Sequence, residues 1–130
     1  MRYPRIAVRP IVLLSTLIFS FYARGETIVI SCPVNDDGSA TVWKYGTSLT
    51  GEYKEVRVRS LGVWEHWCTN LSNVSLSFGD RSAKCEIKHL GQAGGSSVLV
   101  VDFFLKEFVS LDRYKKTKRW ACDLLEHKPY

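Results

Sequence analysis

Apolar and polar positions alternate with a period of two along most of this chain. Between Glu52 and Ser60, Val56 and Val58 fall on one side and Glu55, Arg57 and Arg59 on the other. That is the pattern of a strand with one face buried. Val74-Ser75-Leu76-Ser77-Phe78 alternates in the same way and stops at Gly79-Asp80. Thr27 to Ser31 is β-branched and apolar, and Ala40 to Tyr45 resumes with Val42, Trp43 and Tyr45. Between them, Asn35-Asp36-Asp37-Gly38-Ser39 supplies turn chemistry, so the two runs predict a hairpin. A second hairpin is predicted by Lys84 to Leu90 and Ser97 to Leu105, which flank the Gly-rich stretch Gly91 to Ser96. Val63 to Trp67 is a short aromatic strand, and Thr117 to Leu124 is the last one, around Trp120 and Cys122.

One segment fits two periods. Val101, Phe104, Leu105, Phe108 and Leu111 recur at helical spacing, whereas Val98, Val100 and Val101 favour a strand. The expectation is a strand to Leu105 followed by a helical turn. The fold class is therefore mainly β, a small antiparallel sandwich or barrel of roughly six to eight short strands. A parallel sheet would need long crossover helices for which the pattern leaves no room.

The N-terminus changes where the fold begins. Arg2, Arg5 and Arg9 precede a mostly apolar stretch from Ile11 to Tyr22, followed by Ala23-Arg24-Gly25. This is the pattern of an export signal at residues 1–25, with a cut before Glu26 and a single domain over 26–130. The apolar stretch is shorter than the ~20 residues that span a bilayer. The expected location is secreted, or periplasmic in a Gram-negative producer. Removing the signal also removes most of the charge. The chain has 18 Lys+Arg against 13 Asp+Glu, but Arg2, Arg5, Arg9 and Arg24 lie in the signal, so the remainder is nearly neutral. Global basicity is thus no argument for nucleic acid.

Cys32, Cys68, Cys85 and Cys122 are an even set in a short exported chain, which reads as two disulfides. The similar loop lengths favour Cys32–Cys68 with Cys85–Cys122, and Cys32–Cys85 with Cys68–Cys122 is the main rival. An offset of 53 residues aligns Cys32 with Cys85, Gly38 with Gly91, Ala40 with Ala93, Val56 with Val109 and Trp67 with Trp120. So few matches read as coincidence, because a true repeat recurs as a structural unit.

Candidate chemistry is sparse. His66, Cys68, Cys85 and His89 offer two Cys and two His to a zinc ion, but in an exported chain disulfides are the stronger expectation, and no metal or cofactor is assigned. Glu65, His66, Glu86, His89 and His127 are the possible acid–base set, and none is assigned as catalytic. The sharpest charge feature is Arg113, Lys115, Lys116, Lys118 and Arg119, with Tyr114 inside the run. Such runs are commonly solvated loops and otherwise meet acidic partners. Trp64 and Trp67 are too close for one alternating strand to bury both, which makes them contact candidates. Asn70-Leu71-Ser72 and Asn73-Val74-Ser75 are glycosylation sequons.

The format of signal, about 100 residues, two disulfides and no catalytic motif resembles the small exported effectors of plant-pathogenic microbes, and equally small periplasmic proteins. The expected function is a disulfide-stabilised binding module, effector- or inhibitor-like, acting on a macromolecular partner. That partner is expected to be a protein, with nucleic acid or an anionic surface as other targets of the 113–119 run. The alternative is a small secreted hydrolase of ribonuclease type that uses a Glu/His pair.

Overall fold

The computed structural model describes residues 24–69, 71–91 and 94–129. Residues 1–23 of the expected signal, the sequon residue Asn70, and Gln92 and Ala93 of the Gly-rich stretch lie outside the described residues. β1 begins at Arg24, two residues ahead of the expected start of the domain.

Ten strands form two antiparallel sheets. β1 (Arg24–Cys32), β2 (Thr41–Ser48), β3 (Lys54–Ser60) and β4 (Val63–His66) make a meander. β5 (Val74–Gly79), β6 (Ser82–Lys88), β7 (Ser96–Asp102), β8 (Glu107–Leu111) and β9 (Thr117–Ala121) make a second. The chain then returns as β10 (Asp123–Lys128) to the free edge of β1. The sheet orders are β10-β1-β2-β3-β4 and β5-β6-β7-β8-β9.

Alternation decides what is inside. Ile28, Ile30, Cys32, Trp43, Tyr45 and Val56 come from the first sheet, and Ala83, Val101, Phe103 and Phe108 from the second half, forming one core. Aromatic rings join the layers. Trp43 stacks on Phe108 at 4.9 Å and meets Trp67 edge-on at 6.3 Å, while Tyr45 lies 5.3 Å from Phe103. The arrangement is a β-sandwich stabilised by two disulfides, as the pattern predicts. Among the described residues no helix is long and apolar enough to cross a membrane.

The expected helical turn is absent. β7 stops at Asp102 because the Asp102 carboxylate accepts the N–H groups of Phe104 at 3.0 Å and Leu105 at 2.8 Å. This local bonding competes with both helix and strand and makes a reverse turn. Lys106 completes it at φ +56°. Phe104 and Leu105 stand exposed at the tip, and only Phe108 of that apparent stripe's middle reaches the core. The last predicted strand is also two strands. Cys122 interrupts it, and the chain crosses there from one sheet to the other.

That crossing explains the disulfides, which follow neither expected pairing. The bridges are Cys32–Cys122 and Cys68–Cys85. Ser31 of β1 pairs with Asp123 of β10, so Cys32 and Cys122 become neighbours only after the chain ends meet. Loop length was no guide, because closure entropy grows only slowly with length.

Both sheets contain a four-strand meander, β1–β4 and β6–β9, with one added strand on its first edge. The 53-residue offset does not carry one meander onto the other in register: it places residues 24–28 of β1 on the end of β5 and the β5–β6 turn, and Cys32 pairs with Thr41 whereas Cys85 pairs with Leu99. Each bridge joins the first meander strand of one sheet to the segment just after the last meander strand of the other.

Candidate functional site

The basic run forms the turn between β8 and β9 and then β9 itself. Asp112 shapes the turn: its carboxylate accepts the N–H groups of Tyr114 and Lys116, both at 2.9 Å, and its carbonyl accepts that of Lys115. Lys115 takes φ +64°. Arg113, Tyr114, Lys115, Lys116, Lys118 and Arg119 are all exposed. Arg119 is ion-paired with Glu107 at 2.5 Å, and Arg113 lies 5.2 Å from the Tyr114 ring. Among the described residues no acidic side chain pairs with Arg113, Lys115, Lys116 or Lys118. β9 is an edge strand, bonded to β8 alone. Charged residues, lysine above all, commonly protect such an edge from adventitious pairing.

The two tryptophans part company. Trp67 packs inward on Trp43. Trp64 lies on the outer face of the first sheet beside its cross-strand neighbour Arg59, with Lys44 Nζ 4.5 Å and the Arg59 guanidinium 5.3 Å from its ring centroid. Both distances are within cation–π range. Lys44 and Arg57, paired across β2 and β3, share this face. Sequence reading missed Lys44, Arg57 and Arg59 as companions of Trp64, although their odd–even phase opposite Val56 and Val58 was visible.

The acid–base set is dispersed. His89 Nε2 lies 2.6 Å from Ser97 Oγ. Glu65 and His66 are successive strand residues and so point to opposite faces. The zinc set loses both sulfurs, because Cys68 and Cys85 are bonded to each other. Of the sequons, Asn73 donates its amide to the Lys88 carbonyl at 2.9 Å.

One carboxylate does meet a histidine. Glu26 is buried, with 5% of its side chain exposed. It accepts from Arg81 Nε at 2.6 Å through Oε1 and from His127 Nε2 at 2.8 Å through Oε2. Burial alone pushes its carboxyl pKa up, but the hydrogen bonds and charges of Arg81 and His127 outweigh this and hold it below the ordinary 4.5. The shielding is shallow, since both partners are themselves more than a third exposed. Beside the trio lies a cavity of about 280 Å³ between the β7–β8 turn and β10. A bulge at Val29/Ile30 skips one residue of β10, pairing Ile28 with His127 and Ile30 with Leu124, and so puts both partners on the same face.

Sequence reading overlooked Glu26 and Arg81. The signal was there for Glu26, an acid in phase with the inward residues Ile28, Ile30 and Cys32. A depressed carboxylate stabilises the fold above its unfolded pKa, and that stability is lost as pH falls through the folded one. We expect urea unfolding to show weakening below about pH 4.5 that Glu26→Gln, already less stable at pH 7, does not share. Equal acid slopes in both proteins would contradict this role.

Comparison with known proteins finds no matching family model, no matching curated protein and no matching solved structure.

Proposed function

We propose that this chain is an exported binding module, effector- or inhibitor-like, that engages an acidic protein segment along β9 and the β8–β9 turn. The observation that carries the reading is the conjunction of exposed, acid-free cations with an edge strand at the same place. An extended acidic segment adding to β9 would gain main-chain hydrogen bonds from the edge and charge pairing from Lys115, Lys116 and Lys118. A protein partner fits better than a nucleic acid, because Tyr114 is the only aromatic residue in the run and Arg113 lies over its ring. Two disulfides suit an extracellular life.

The hydrolase alternative would have to rely on Glu26 and His127. Both Glu26 oxygens already accept hydrogen bonds, one from the Arg81 guanidinium and one from the His127 imidazole, an arrangement that does not offer a base ready to take a proton. The trio therefore supports binding over catalysis.

The test uses a 20-residue poly-glutamate peptide and a single-stranded RNA of equal charge as probes. The peptide should bind the oxidised protein more tightly than the RNA, with affinity falling as salt rises. Lys115→Glu with Lys116→Glu should weaken peptide binding tenfold or more. Stability should stay within about 0.5 kcal/mol, as for other exposed substitutions. Binding that is unchanged in the double variant and insensitive to salt would reduce the run to a solvated turn.

A further inference from the structure

We propose that the cavity beside Glu26 is a binding site for a small amphipathic anion, a ring or short acyl chain carrying one carboxylate or phosphate. The inference is independent of the β9 surface. Ile28, Phe103 and Leu124 give the cavity an apolar wall, and Arg81 and Lys106 give it a cationic one, with the His127 imidazole beside them. Among the described residues that line it, none is acidic. Apolar walls with a few convergent polar groups are the usual composition of a small-molecule site. The volume of about 280 Å³ is at the low end for such sites, which limits the ligand to roughly one ring or a short chain.

Glu26 lies behind this lining and not within it. It fixes Arg81 through one oxygen and His127 through the other. A guanidinium and an imidazole from segments far apart in sequence are thus held in place by one buried carboxylate. Lys106 adds a second cation from the β7–β8 turn, where its carbonyl accepts the Cys122 N–H at 2.9 Å and the Arg81 carbonyl accepts the Phe103 N–H at 2.9 Å. The turn is therefore tied to both sides of the cavity. Preorganised cations beside apolar surface favour a ligand that has both characters.

The experiment is an NMR titration of the oxidised protein with benzoate, phenyl phosphate and hexanoate. Benzyl alcohol has the ring without the charge, and inorganic phosphate has the charge without the ring. At least one of the three amphipathic anions should shift the amides of Ile28, Phe103 and Leu124, with affinity tenfold or more above both controls. Whether benzoate or phenyl phosphate binds more tightly identifies the head group. Lys106→Glu should weaken binding fivefold or more, and His127→Gln, which can still donate to Glu26, provides a second variant should the first fail to fold. The proposal is overturned if none of the anions shifts these amides. It is also overturned if benzyl alcohol binds as well as benzoate, or inorganic phosphate as well as phenyl phosphate. Neither of those results would show a site that reads both characters.

Discussion

Replacing Cys32 and Cys122 together by alanine should lower stability by about 4–5 kcal/mol, the larger of the two disulfide losses. The bridge spans 90 residues, against 17 for Cys68–Cys85, and the entropy released to the unfolded chain grows with the loop that is opened. On the same reasoning Cys68→Ala with Cys85→Ala should cost about 3 kcal/mol. The native state points the same way. β10 is an edge strand held by β1 alone, and the Cys32–Cys122 bridge anchors its start. Losing that anchor lets β10 fray, and with it go His127 and one wall of the cavity. Equilibrium urea unfolding of the two double variants checks the order. A greater loss from the short-range bridge would show that the unfolded chain keeps the ends together without the bond.

Trp43→Ala should cost about 3–5 kcal/mol, the range for truncating a buried aromatic residue. Trp43 is the joint between the layers, 4.9 Å from Phe108 of the second sheet and 6.3 Å from Trp67. Among the described residues no other aromatic ring pairs with both Phe108 and Trp67, so its loss opens a cavity between the sheets. Its Nε1 has no hydrogen-bond partner among the described residues. Trp43→Phe should therefore cost much less, because it removes an unsatisfied donor while keeping an aromatic ring. Urea midpoints for the two variants separate packing from polarity. Equal losses would mean that the indole N–H is satisfied and contributes to the fold.

Local pattern was enough for most of the strands. Val56 and Val58 against Glu55, Arg57 and Arg59 fixed β3, and Asn35 to Ser39 fixed the first hairpin. It failed where an exposed turn imitated a helix. Phe104 and Leu105 look like core residues in sequence, yet the Asp102 carboxylate turns the chain at that point and leaves them in solvent. Long-range facts were out of reach for a different reason. The Cys32–Cys122 bridge exists because β10 leaves its neighbours in sequence and pairs with β1, a choice no local window contains. The meander that both sheets share was equally out of reach, because it is defined by strand pairing and not by local pattern. The Glu26 trio divides along the same line. Glu26 was in phase with the inward residues of β1, a signal that sequence reading passed over, while Arg81 and His127 reach it from 55 and 101 residues away. The basic run was legible as charge, whereas its place on an edge strand was not.

The binding reading is tested most directly by mapping where the acidic peptide touches the protein. Titration of the oxidised, isotope-labelled chain with the 20-residue poly-glutamate should shift the amides of Thr117 to Ala121 and of the turn from Arg113 to Lys116. The outward N–H groups of β9 should gain protection from hydrogen exchange as a strand is added. Shifts confined to the outer face around Lys44, Arg59 and Trp64, or no added protection on β9, would contradict the account.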